Sequence, residues 1–205
     1  MTEIIVTGAA ERCIPADRAL LGVSRSFVES QREAAVRRAA AEHERLVERA
    51  QELVAEGTAE RYAANPIDTF SSGWRDERGQ QIDEHHATVS VTIELVEPTL
   101  VGALTVEFAE SGADARVSWE LSPERRNAVL RELRAEAVAD ARRAAEDYAA
   151  ALGASDAAIV SIRDGQGGPG GSVPLARAAM ADKAPPEVSV REVEVGVRIE
   201  AVFTV

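Results

Sequence analysis

Hydrophobic and polar positions alternate most clearly at the end of the chain. Val193, Val195, Val197, Ile199, Ala201, Phe203 and Val205 take every second place against Glu194, Arg198, Glu200 and Thr204, the pattern of a strand with one buried face. Val188 and Val190 hold the other parity, so a β-bulge is expected at Arg191-Glu192. Ala87, Val89, Val91, Ile93 and Leu95 alternate with Thr88, Ser90, Thr92 and Glu94 in a second such run, which stops at Pro98. From Gln31 to Glu56 the period changes. Val36, Ala39, His43, Leu46, Ala50 and Leu53 recur every three or four residues before Gly57, predicting a long amphipathic helix. Ser122-Pro123-Glu124 opens a second, with a serine N-cap, proline at the first helical position and an acid in the first turn. Its apolar row is Leu130, Leu133, Ala137, Ala141, Ala144, Tyr148 and Leu152, and Gly153 ends it.

Shorter patterns fill the remainder. Glu3 to Thr7 and Ala19 to Phe27 read as strands joined across Ile14-Pro15-Ala16-Asp17, and Ala158 to Ile162 reads as a buried strand. Tyr62 to Trp74 pairs with the Ala87 strand through a polar loop at Asp76-Glu77-Arg78-Gly79. Thr99 to Glu110 fits a helix through Leu100, Leu104 and Phe108 and a strand through Leu104, Val106 and Phe108, and periodicity does not choose. The sum is an α+β fold with a single antiparallel or mixed sheet and two long helices on one face. Residues 1–205 are expected to form one domain, with a flexible Gly/Pro-rich excursion at 164–187.

This order of elements resembles the SIMPL-domain family over essentially the whole chain. Val6-Thr7-Gly8 with Pro15-Ala16-Asp17 is similar to that family's opening. Ala137 to Ala145, continuing through Ala151-Leu152-Gly153, is similar to its alanine-rich helix, and the alternating-valine strand is similar to its ending. The resemblance implies that Thr99 to Glu110 is a short helix leading to a strand at Arg116 to Leu121. It also implies assembly into rings or barrels, and relatives that are exported bacterial proteins linked to envelope or oxidative stress, or kinase-associated adaptors in animals. It carries over no catalytic residue. Two departures stand out: no export signal is seen, and His85-His86 occupies the place where relatives commonly carry Gly-Tyr.

Composition narrows the partners. Thirty-five acidic against 23 basic side chains leave a charge of −12, which repels nucleic acid and anionic lipid at long range. With aromatics at 4%, the core must be built from Val, Leu, Ile and Ala. Met1 to Gly8 has neither the basic nor the apolar region of a secretory signal, and no run is apolar enough to span a bilayer, so a cytoplasmic protein is expected.

The candidate chemistry is sparse. Asp83-Glu84-His85-His86 is the densest group of potential metal ligands, but on a strand His85 and His86 point to opposite faces. Each face then holds two ligands, Asp83 with His85 or Glu84 with His86, unless a second subunit completes the site. His43-Glu44-Arg45-Leu46-Val47 lacks the second histidine of a zincin helix, which makes His43 a packed boundary residue. Asp164 to Ser172 lacks the lysine of a phosphate-binding loop. Cys13, the single cysteine, lies beside Arg12 as a candidate redox thiol. No serine sits in a nucleophile elbow. The reading is a non-enzymatic, self-assembling binding or scaffold protein, with no cofactor and with homo-oligomeric or other protein partners, its interfaces on the long helices and the edge of the terminal strand. The alternatives are a metal- or thiol-dependent stress protein using His85, His86 or Cys13, and a small-molecule module with the Gly-rich loop as lid.

Overall fold

The computed structural model describes residues 2–75, 77–165 and 189–205. Its elements gather into two compact units, each with its own antiparallel sheet and long helix.

The first unit joins the two ends of the chain. Strand β1 (Glu3–Pro15) pairs along its length with the last strand, Glu192–Thr204, in the register Glu3↔Thr204 to Pro15↔Glu192. A further strand, Ala158–Asp164, pairs with the other side of that last strand. The helix Pro123–Ala151 lies over the Glu3–Pro15 and Glu192–Thr204 strands. Its start follows the sequence logic, with Ser122 Oγ accepting from Arg125 N–H at 3.3 Å and Pro123 at the first turn. Its buried row is Val129, Leu133, Ala137, Ala141, Ala145 and Ala149. Ala145 and Ala149 replace the expected Ala144 and Tyr148, and Tyr148 and Leu152 are exposed. The reason is the closeness of helix and strand. A Cβ on Gly8 would fall 2.0 Å from the Ala137 carbonyl oxygen and 2.8 Å from Ala141 Cβ, so this contact admits only glycine facing alanines.

The second unit begins at strand β2 (Arg18–Glu29) and helix α1 (Arg32–Ala55). Strands β3 (Ala59–Ala64) and β4 (Asp68–Arg75) share one side of β5 (Gln81–Leu95), and β2 pairs with the other side. Pro66, which has no N–H to donate, lies in the gap between β3 and β4. After Pro98 a 3-10 turn leads into helix α2 (Val101–Glu110) and then strand β6 (Asp114–Glu120), which pairs with β2. The remaining elements are thus α3 (Pro123–Ala151), β7 (Ala158–Asp164) and β8 (Glu192–Thr204). The core of this unit is aliphatic, with Leu21, Val23, Val89, Val91, Ile93 and Leu95 of the sheet against Leu46 and Leu53 of α1 and Leu104 and Phe108 of α2.

The single sheet with two long helices on one face is therefore corrected, among the described residues, to two antiparallel sheets and three α-helices. Alternation reports which face of a strand is buried and is silent on its neighbour. Here β1 pairs with β8 and β2 with β5, although β1 and β2 are consecutive in the chain. Three further expectations change. β7 is exposed along its length instead of buried, because among the described residues it is an edge strand and α3 packs on β1 and β8. β8 is the middle strand of its sheet, so it offers no edge for association. The parity switch at Arg191-Glu192 marks where β8 begins, so it is no bulge within a strand. The tie at Thr99 to Glu110 resolves as helix.

Candidate functional site

His85 stands on β5 opposite Ser71 of β4, and His86 stands opposite Phe70. Strand alternation sends the imidazoles to opposite faces, and each finds a local partner. Ser71 Oγ is 2.7 Å from His85 Nδ1, and Ser72 Oγ is 3.0 Å from His86 Nε2. Asp83 accepts from Gln81 Nε2 at 3.0 Å, and Glu84 Oε2 lies 3.8 Å from His86 Nε2. Among the described residues no three of His, Cys, Asp and Glu are grouped to hold a metal.

The His86 face carries a feature that reading the ligands alone missed. Phe70 stacks on His86 with ring centroids 4.2 Å apart and 5° between planes. Trp74 Nε1 donates to Glu84 Oε1 at 3.3 Å. Phe70 and Trp74 are 56% and 50% exposed, and Val28, opposite His86 on β2, is 48% exposed. The parity of Phe70, Ser72 and Trp74 against Ile82, Glu84 and His86 around a polar loop was the available signal.

Cys13 is exposed on β1. Its neighbour Arg12 belongs to the opposite face, where its guanidinium is engaged by Glu132 at 2.6 Å and by Glu136, so that charge is spent on carboxylates of α3. His43 is half-buried, and the core position beside it belongs to Glu42, only 8% exposed. Arg45 Nη2 donates to Glu42 Oε1 at 2.7 Å and to Ser111 Oγ at 2.8 Å. Arg25 of β2 lies 3.3 Å from Glu42 Oε2 and donates to the Ser111 carbonyl at 2.7 Å. Burial alone would raise the Glu42 pKa, but the hydrogen bond and charge of Arg45, then those of Arg25, outweigh it and hold the carboxyl below the ordinary range. This cluster ties β2, α1 and the end of α2 together, which is a structural task. The Gly-rich stretch and the proposed lid lie outside the described residues beyond Gly165, as does Pro185-Pro186.

Two other surfaces belong to the first unit. β7 exposes Ile159, Val160 and Ile162 at 40%, 60% and 47%, and among the described residues only β8 pairs with it. On α3, Glu132, Glu136 and Asp140 recur every fourth residue and engage Arg12 and the Ala9 N–H of β1. The same row continues through Ala144 to the exposed Tyr148 and Leu152. No helix among the described residues is long and apolar enough to cross a membrane.

Fold and surfaces together define an α+β protein whose prominent features are open apolar surfaces, with its histidines and cysteine held apart in separate local settings. The chain belongs to the SIMPL family, described as proteins of unknown function (DUF541), whose sequence profile matches residues 4–203. No curated protein matches it.

Proposed function

We propose that this chain is a non-enzymatic, self-assembling binding or scaffold protein that associates through the outer edge of β7. The observation that carries this reading is the character of that strand. Its sequence Ala-Ile-Val-Ser-Ile-Arg-Asp holds three exposed branched aliphatics and no proline, and charge comes only at its end. An edge of this kind presents unpaired N–H and C=O groups beside apolar side chains, which is how a sheet recruits another strand. Natural edges that stay monomeric are blunted by lysine, proline, inward charge or a bulge, and of these β7 carries the bulge. The local irregularity between Ile159 and Ser161 twists this edge without removing its apolar side chains. The family resemblance, with its tendency to assemble, points the same way.

Light scattering on the full chain over a range of micromolar concentrations tests the proposal. Masses at whole multiples of 21.9 kDa are expected. A strict monomer across the range would sink it.

A further inference from the structure

The β4–β5 hairpin outruns the sheet that carries it. β2 accompanies β5 only as far as Glu29↔His85, whereas β4 continues to Arg75↔Gln81. Residues 72–75 and 81–84 therefore project as a two-stranded ribbon. One face of the hairpin carries three rows in order toward the tip: Phe70 opposite His86, Ser72 opposite Glu84, and Trp74 opposite Ile82. A two-residue strand repeat sets successive rows about 7 Å apart, with Glu84 midway between two aromatic rows roughly 13 Å apart. Glu84 Oε2 lies 3.8 Å from His86 Nε2, and Glu84 Oε1 accepts from Trp74 Nε1 at 3.3 Å, so the carboxylate is held between the two aromatic rows.

A carboxylate flanked by exposed aromatic rings is complementary to a cation that also has apolar or planar character. The carboxylate supplies the opposite charge, and the ring faces attract guanidinium and ammonium groups through their quadrupoles. The surface is an open ribbon without enclosing walls, which suits a side chain presented on a chain better than a free small cation. An extended peptide places alternate side chains on one face at the same spacing of about 7 Å, so its repeat matches the rows.

We propose that this face binds an extended, basic segment of a partner protein, with an Arg or Lys head group over Glu84 between the Phe70–His86 pair and Trp74. This surface belongs to the second unit and does not depend on the assembly reading, so either can fail without the other.

The test is calorimetric titration of the full chain with a synthetic peptide of alternating Arg and Ser, beside a peptide of alternating Glu and Ser and a neutral oligosaccharide. The expected result is binding of the basic peptide alone, weakened by added salt. Glu84→Gln should weaken it by about threefold or more, the scale of an exposed ion pair, and Trp74→Ala by a similar factor, the scale of an exposed cation–π contact, while Trp74→Phe keeps most of it. The replaced side chains are on the ribbon surface, and unchanged melting temperatures establish that the variants fold. Equal affinity in wild type and Glu84→Gln would overturn the proposal, as would binding of the oligosaccharide without the basic peptide. A loss of mass in light scattering on Trp74→Ala, with no peptide binding by wild type, would assign the face to contacts between copies and overturn it equally.

Discussion

Gly8 decides how close α3 lies to β1. The added methyl of Gly8→Ala would enter space held by the Ala137 carbonyl oxygen at 2.0 Å. Helix and strand must separate to admit it, and overpacking of this kind costs about 1–3 kcal/mol. Denaturant unfolding should place Gly8→Ala about 2 kcal/mol or more below wild type, and an unchanged midpoint would contradict the close contact. Glu42 acts through charge. Its carboxyl titrates lower in the folded chain than when unfolded, so its stabilisation is complete above the unfolded value of about 4.3 and is lost as pH falls through the lower folded value. Stability measured from neutral pH down through this window should fall less steeply in Glu42→Gln than in wild type. Parallel curves would show that Arg45 and Arg25 do not favour the charged form. Gly8 was visible in the sequence as a motif residue, but its cause was not, since the contact joins positions 129 residues apart or more. Glu42 is not legible in the sequence because the apolar stripe runs through His43, one position away, and a charged residue is not expected inside until its arginines are placed around it.

At the scale of elements, local signals were reliable where the cause is local. Ser122-Pro123-Glu124 is one case: the hydroxyl caps the Arg125 N–H as the spacing predicts. Ser122→Ala should cost about 1 kcal/mol, measurable as a shift in the denaturation midpoint, and no shift would mean that the hydroxyl is not capping the helix. Gly57 and Gly153, both at positive φ, follow α1 and α3 as expected. Burial of β7 was misread for an equally physical reason. A short apolar run looks the same whether a helix covers it or not, and among the described residues α3 packs on β1 and β8. The hairpin's histidines were legible as opposed in direction. Their serine partners and the aromatic rows depended on the β4–β5 register, which the polar loop alone does not fix.

For the whole molecule, the two-sheet arrangement rests on pairings between distant residues, such as Glu3 with Thr204, and no periodicity encodes these. What the chain does encode globally is an acidic surface, with a charge of −12, and apolar groups left outside on β7. These two features oppose one another in assembly: like charge repels copies at long range, while an open aliphatic edge attracts them at contact. Added salt should therefore favour the associated form. Native mass spectrometry of wild type and Val160→Lys, prepared side by side, is the most direct measurement. The exposed Val160 is replaceable without loss of core packing, and a lysine there blunts the edge. Masses of two or more times 21.9 kDa are expected for wild type, with a shift toward the 21.9 kDa monomer for the variant. A monomeric wild type, or multiples that persist unchanged in Val160→Lys, would contradict it.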